Sequence, residues 1–216
     1  MNYILDNWTP LLDGARVTLE LFFITLLLSV PLGLLLALMR ISRVRALSLA
    51  VNAYIWLMRG TPLMLQIIFI YFALPGLFGP AAALPALPAA VIAFVLNYAA
   101  YFAEIFRAGI QSIDKGQYEG ARVLGYSYTQ TMRHIVLPQV IKRILPPMSN
   151  ETITLVKDTS LVYVIALNDL LKVVRGMVQR EFSMSPFIVA AAFYLLMTLV
   201  LTWGFQHLEK RYAAYD

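Results

Sequence analysis

Long runs of apolar residues dominate this sequence. A helix needs about 20 apolar residues to cross the roughly 30 Å hydrocarbon core of a bilayer. Residues 21–39 and 182–206 each meet this requirement without a charged residue, and the uncharged run at 60–103 is long enough for two spans. The Pro-, Gly- and Ala-rich stretch at 74–88 predicts a turn between those two spans. Residues 137–167 form a fifth, less regular candidate because charged residues interrupt the apolar run.

These runs are continuous, whereas the strands of a membrane β-barrel alternate between apolar and polar residues. The composition also favours a helical membrane protein, since 60% of the residues are hydrophobic, 13% are charged and the mean hydropathy is +0.72. A soluble domain carries about 25% charged residues. We therefore predict an all-α integral membrane protein with five transmembrane helices in a single domain, residues 1–216.

Basic residues predict the orientation, because cytoplasmic loops are enriched in Lys and Arg. With the N-terminus outside and the C-terminus inside, most basic residues fall on the inner side. The inner set is Arg40, Arg43, Arg45, Arg59, Arg107, Lys115, Arg122, Arg133, Lys142, Arg143, Lys210 and Arg211. The outer set is Arg16, Lys157, Lys172, Arg175 and Arg180. Residues 172–180 are predicted to form a short amphipathic segment at the outer interface.

Several kinds of site are excluded by composition. The sequence contains no cysteine, so disulfides, thiolate nucleophiles and cysteine-ligated metals are ruled out. Its two histidines, His134 and His207, are far apart in sequence, and we expect no metal site. No G-x4-G-K-[S/T] phosphate loop is present, so any ATP is expected on a partner. The net charge of +5 belongs to the inner loops and does not indicate a nucleic-acid partner.

One predicted inner loop, at residues 111–136, is long and polar for so small a membrane protein. Residues 119–124 favour a helix that Gly125 could end. A second short helix could begin at Ser127 or Thr129, since both residue types cap helix N-termini. Two short helices on the cytoplasmic side would provide a surface for docking another protein. The alternative is a solvated connecting loop with no partner.

At this loop the sequence resembles the membrane subunits of ATP-binding-cassette (ABC) importers. Their loop has the form E-A-A-x3-G-x9-I-x-L-P, and the spacing is the same in this chain. The matching residues are Glu119, Gly120, Ala121, Gly125, Ile135, Leu137 and Pro138. Gly120 replaces the usual Ala, one small residue for another, which costs little beyond local helix stability. The resemblance implies that the segment 111–138 couples the chain to an ATPase.

The resemblance covers most of the chain. Three further segments are similar to the polar amino-acid subgroup of these importers: 59–63, 97–104 with Arg107 and Gly109, and 157–161. It implies an amino-acid permease in the cell inner membrane that works as a homo- or heterodimer. Two cytoplasmic ABC ATPase subunits, which carry the ATP and Mg²⁺, would dock on the coupling loop. An external, periplasmic binding protein would deliver the substrate.

Two carboxylates in the fourth predicted span are the main candidates for substrate binding. Glu151 and Asp158 are seven residues apart, so on a helix they share a face within about 20° and lie about 10 Å apart along the axis. Ionisable residues at membrane depth are costly and usually functional. A cationic amino acid has two positive groups at a comparable separation. The alternative is that Glu151 is neutralised by Lys157 or by an arginine of a neighbouring helix.

Further candidates for the substrate cavity are Gly60, Thr61 and Asn97. Thr61 lies between Gly60 and Pro62, where the helix is expected to be irregular and to offer backbone groups. Asn97 and Gln66 could bind substrate, although such residues more often join helices to each other.

The pattern therefore favours an ATP-driven permease that works by alternating access and prefers arginine, lysine or histidine. Importers of other polar amino acids, such as glutamine or cystine, remain alternatives. So does a secondary transporter that uses Glu151 and Asp158 as an ion relay without ATP. We expect no enzymatic activity in this chain, because no nucleophile–base set falls within one predicted membrane layer.

Overall fold

The computed structural model describes residues 8–213, and every regular element among them is helical. The main helices are α1 (Trp8–Arg40), α2 (Arg45–Gly60), α3 (Leu63–Phe78), α4 (Ala86–Gln111), α5 (Lys115–Val123), α6 (Tyr128–Thr131), α7 (Leu137–Asp158), α8 (Leu170–Glu181) and α9 (Ser185–Ala213). Helix α3 contains a π-helical segment, Phe69–Ala73, and a second one, Met132–Val136, joins α6 to α7. The predicted all-α class is confirmed.

Three of these helices, α1, α4 and α9, are long and apolar enough to cross a membrane, within the part of the chain that the structure describes. Helices α2 and α3 add a fourth span if they are counted together, although they meet at an angle of 102°. Helix α7 has 22 residues but carries several charges, so it does not qualify by composition. The count of five spans therefore stays a prediction, as does the orientation.

The run predicted to hold two spans and a turn folds into α3 and α4. Helix α3 extends to Phe78, five residues into the predicted turn at 74–88, and Leu74–Phe78 is α-helical after the π segment. Gly79 then adopts a positive φ of 89°, which favours glycine and ends the helix. A short 3-10 turn, Pro80–Ala82, leads to α4.

Helices α1 and α4 form the centre of the molecule, and Gly33 allows them to approach closely. A Cβ atom at Gly33 would lie 2.7 Å from the Phe102 Cβ and 3.0 Å from the Ala99 carbonyl oxygen. Small residues on α4, among them Ala99 and Ala103, are fully buried in the same contact. Close backbone approach through small residues is the common mode of helix association in membranes.

The outer surface of α9 is apolar. Its exposed residues include Leu195, Leu196, Leu199, Val200 and Trp203. Exposed apolar side chains along a spanning helix are expected where the surrounding medium is lipid acyl chains. The predicted amphipathic segment at 172–180 lies within α8, which buries Leu170, Val174 and Met177 and exposes Arg175, Arg180 and Glu181.

Candidate functional site

A cavity of about 540 Å³ opens between α2, α3, α4 and α7. It is lined by Arg59, Gly60, Thr61, Pro62, Leu63, Asn97, Tyr98, Tyr101, Glu151, Thr154, Asp158 and Leu161. All five residues predicted to contact substrate, Gly60, Thr61, Asn97, Glu151 and Asp158, are thus brought to one place. They come from three separate segments of the sequence, and the cavity is large enough for an amino acid.

The acidic pair lies on α7 and faces this cavity. The Tyr98 hydroxyl donates a hydrogen bond of 2.7 Å to Asp158 Oδ2. Among the described residues neither Glu151 nor Asp158 has a basic group within 4.0 Å, since each ion pair found there involves Glu104. Lys157 points outward and is exposed. The two carboxylates are therefore partly buried without a basic group in direct contact, and Arg59, which lines the same cavity, interacts with Glu151 electrostatically.

The helical structure is interrupted between α2 and α3, at the edge of the cavity, and this interruption is the helix break. Thr61 has extended dihedral angles (φ −118°, ψ 143°), and Pro62 follows with ψ 133°. The Gln66 side-chain amide donates to the Met58 carbonyl at 2.9 Å and to the Thr61 hydroxyl at 2.8 Å. The break is therefore a fixed feature, held by side chains that satisfy carbonyl groups the helix has released.

Asn97 supports the same break from α4. Its side-chain amide donates to the Met58 carbonyl at 2.9 Å and to the Gln66 side-chain oxygen at 3.2 Å. The residue is buried, with 3% of its surface exposed. Both recorded donor bonds go to the protein itself, which favours a role in positioning the helix break. A direct contact between Asn97 and substrate stays a prediction.

Three arginines surround Glu104 at the edge of the cavity. Arg107 Nη2 lies 2.8 Å from Glu104 Oε2, and the two residues are three positions apart on α4, where side chains are neighbours. Arg40, the last residue of α1, makes a direct ion pair with the same carboxylate. Arg59 Nη1 lies further away, at 3.9 Å. One carboxylate thereby joins the ends of α1 and α2 to α4.

A second cavity, of about 460 Å³, adjoins the first. The two share Arg59, Tyr101 and Glu151, while the second extends past Glu104 toward Arg143. The Arg59 guanidinium carbon lies 5.1 Å from the centre of the Tyr101 ring, in a cation–π contact. Polar side chains thus line a continuous path beside α4 and α7.

Sequence reasoning missed two residues of this site, Arg59 as a lining group and Tyr98 as the partner of Asp158. The Tyr98 ring is buried beside Phe94. Its hydroxyl partner lies 60 positions further along the chain, so no local spacing could reveal the bond. Arg59 directly precedes the predicted residues Gly60 and Thr61 in the sequence, and this position could have indicated that it lines the cavity.

The coupling segment forms the two predicted short helices. Gly125 ends α5 with a φ of 79°, the Gly125 amide donates to the Arg122 carbonyl, and the Tyr126 amide donates to the Ala121 carbonyl. These bonds form a Schellman motif. Ser127 caps α6 through a capping box with Gln130, so the second helix starts at the first of the two predicted positions.

The surface of this segment combines exposed polar and apolar residues. Val123, Leu124 and Tyr128 are 87%, 75% and 76% exposed, while Ala121 is buried at 2%. Glu119 and Gly120 are also exposed. Three large apolar side chains on a polar loop are unfavourable in water and indicate a contact surface. The segment 111–138 thus presents an exposed apolar patch, and its contact with an ATPase stays a prediction.

Residues 29–214 match the family described as the inner membrane component of binding-protein-dependent transport systems. The chain belongs to this family. It is therefore a multi-pass membrane component of a transport system and not an enzyme. The resemblance predicted from the coupling loop is confirmed.

Known relatives and a solved structure agree with this assignment. The arginine transport system permease protein ArtQ of Bacillus subtilis is 37% identical over 207 residues, which cover 95% of this chain and 94% of the relative. The probable glutamine ABC transporter permease protein GlnM of the same organism is 37% identical over 218 residues, with 98% and 97% covered. A crystal structure of an amino acid ABC transporter with histidines superposes with a TM-score of 0.88 at 37% identity, covering 97% of both chains.

Proposed function

We propose that this chain is the permease subunit of an ATP-driven amino-acid importer with a preference for cationic amino acids. The observation that carries the preference is the pair Glu151 and Asp158, which lines one cavity without an ion pair among the described residues. Amino-acid transport is supported by the names of the relatives, which include arginine and glutamine permeases.

Electrostatics favours a ligand with two positive groups. Partly buried carboxylates lose hydration, and two of them on one helix face raise the cost further. A lysine, arginine or histidine side chain could approach one carboxylate while the α-ammonium approaches the other. Each pairing would return part of the lost hydration energy, whereas an acidic amino acid would add a third negative charge. Glutamine, which relatives named as glutamine permeases suggest as the alternative, could neutralise one carboxylate only and would offer the other an uncharged amide donor.

The coupling segment 111–138 is the proposed contact with the cytoplasmic ATPase subunits. ATP and Mg²⁺ would be bound by those partners, since this sequence has no phosphate loop. A second permease subunit, identical or related, would complete the pathway, and an external binding protein would deliver substrate. ATP-driven closure of the ATPases would move α5 and α6 and thereby open α7 and α4 outward, and hydrolysis would restore the inward-open state.

The substrate proposal is tested by reconstituting the chain with a matching ATPase and measuring binding of arginine, lysine, histidine, glutamine and glutamate. Glu151→Gln should lower affinity for the cationic amino acids by about tenfold or more, because a charge-assisted contact is lost. Glu181→Gln, at an exposed carboxylate of α8, is the matched control and should bind as wild type does. If Glu151→Gln has the same selectivity among these amino acids as wild type, the external binding protein determines the selectivity.

The ATPase contact is tested separately by co-purification. Leu124→Glu places a charge on the exposed apolar surface of the coupling segment and should abolish recovery of the ATPase with the permease. Met184→Glu places the same charge on an apolar residue that is 72% exposed in the α8–α9 turn, and recovery should be unaffected. If Leu124→Glu still recovers the ATPase, the contact does not involve this surface. If wild type recovers no ATPase and transports substrate without ATP, the secondary-transporter alternative is favoured.

A further inference from the structure

An α-amino acid carries a negative group as well as positive ones, and the acidic pair cannot bind it. A buried carboxylate needs a cation or several N–H donors to replace its hydration. Among the described residues that line the cavity with Glu151 and Asp158, Arg59 is the one with a basic side chain. Arg59 is therefore the candidate partner for the α-carboxylate.

Arg59 is the least engaged of the three arginines around Glu104. Arg107 makes three hydrogen bonds to the Glu104 carboxylate, at 2.8, 3.2 and 3.3 Å, and Arg40 contacts it directly. Arg59 approaches to 3.9 Å, beyond hydrogen-bond distance. Its side chain is 43% exposed, compared with 23% for Arg40 and 27% for Arg107. Glu104 is thus occupied mainly by Arg40 and Arg107, and Arg59 retains donors for another anion.

The Arg59 guanidinium also contacts an aromatic ring of the cavity. Its central carbon lies 5.1 Å from the centre of the Tyr101 ring, in a cation–π contact. The N–H edge of a guanidinium suits a carboxylate, which it can bind through two parallel hydrogen bonds. Arg59 and Tyr101 also line both adjoining cavities, so the group stands where the two meet.

We propose that Arg59 binds the α-carboxylate of the transported amino acid, while Glu151 and Asp158 bind its positive groups. This inference rests on the proposed function, because it assumes an amino acid in this cavity. Arg59, Glu151 and Asp158 together would then recognise a complete cationic amino acid and reject amines that lack the carboxylate.

Decarboxylated analogues test this directly. Arginine is paired with agmatine, histidine with histamine and lysine with cadaverine, so that each pair differs by the carboxylate alone. Binding of all six is measured to the reconstituted complex by titration calorimetry. Wild type should bind each amino acid about tenfold to a hundredfold more tightly than its amine, the range expected for a charge-assisted hydrogen-bonded pair. Arg59→Gln should lose most of this ratio through weaker amino-acid binding, and Arg59→Lys should keep an intermediate ratio.

Arg107→Gln is the matched control, since it removes a stronger Glu104 partner that does not line either cavity. The wild-type ratio should persist in this variant. An equal loss in Arg107→Gln and Arg59→Gln would overturn the proposal in favour of a structural role for the Glu104 cluster. A ratio preserved in Arg59→Gln would also overturn it and would place the carboxylate on the backbone at the helix break.

Two outcomes in wild type separate this inference from the proposed function. If wild type binds no amino acid, the proposed function fails as well. If wild type binds each amino acid and its amine equally, only the role of Arg59 is overturned.

Discussion

Polar side chains at the level of the cavity divide into two groups according to what they contact. Asn97, Gln66 and Tyr54 bind carbonyl groups of other helix segments, and the Tyr54 hydroxyl donates to the Leu96 carbonyl at 2.6 Å. Glu151 and Asp158 face open space instead, apart from the Tyr98 bond. The first group fixes the walls of the cavity, and the second determines what the cavity can bind.

Replacing Asn97 tests how far the helix break depends on one buried amide. Asn97→Leu should destabilise the protein by about 1–3 kcal/mol, because the Met58 carbonyl and the Gln66 side chain lose a partner away from water. Thermal unfolding in detergent measures the change. Asn52→Leu, at an exposed position of α2, is the control and should have little effect. Equal stability of the two variants would mean that the break is held without Asn97.

Asp169, which lies outside the spanning helices, should make the stability of the protein depend on pH. It caps α8 by accepting hydrogen bonds from the Leu171 and Lys172 amides. Burial raises the pKa of Asp169 to about 6, and the two amide hydrogen bonds only partly oppose this. Because the folded protein binds this proton more tightly than the unfolded chain, the contribution of Asp169 to stability is largest below about pH 4 and falls as the pH rises to about 6.

Asp169→Asn keeps a good capping residue and removes the buried charge. The variant should be more stable than wild type at pH 8 by on the order of 1 kcal/mol, and this difference should shrink as the pH falls below about 6. Thermal unfolding at several pH values measures both quantities. A stability difference that is the same at pH 8 and pH 4.5 would show that Asp169 does not titrate in this range.

At the scale of elements, the sequence predicted the positions of helices more reliably than the angles and contacts between them. The two coupling helices, the Gly125 stop and the amphipathic α8 follow from local rules of capping and periodicity. The 102° angle between α2 and α3 does not, because it depends on Gln66 and Asn97 reaching the same carbonyl from different helices. The Glu104 cluster likewise joins three helices through residues distant in sequence.

The contact between α1 and α4 should tolerate no added methyl group at Gly33. Gly33→Ala would bring a Cβ within 2.7 Å of the Phe102 Cβ and should destabilise the protein by about 1–3 kcal/mol through overpacking. Gly204→Ala, on α9 with no atom within 4 Å, should be neutral or stabilising by up to about 1 kcal/mol. Detergent thermal unfolding compares the two, and a neutral Gly33→Ala would contradict the close packing of these helices.

At the scale of the whole molecule, the proposed mechanism requires the coupling segment and the α8–α9 turn to lie on opposite sides of the membrane. Basic-residue counts place the first inside and the second outside. The Glu104 cluster agrees with this arrangement, since it gathers Arg40, Arg59 and Arg107, all from the predicted inner set. Helix α7 must then cross the bilayer despite its charges, and a cavity that hydrates Glu151 and Asp158 would lower that cost.

Labelling of single cysteines tests this topology, and the absence of cysteine from the sequence removes any background. Ser183→Cys, in the α8–α9 turn, should react with a membrane-impermeant maleimide in intact cells. Thr129→Cys, an exposed position in the coupling segment, should react only after the membrane is permeabilised. The reverse pattern would invert the orientation and leave no cytoplasmic surface for an ATPase at 111–138. Labelling of both positions from outside would mean that the chain between residues 129 and 183, which contains α7 and α8, crosses the membrane an even number of times or not at all, and the five-span topology would be wrong.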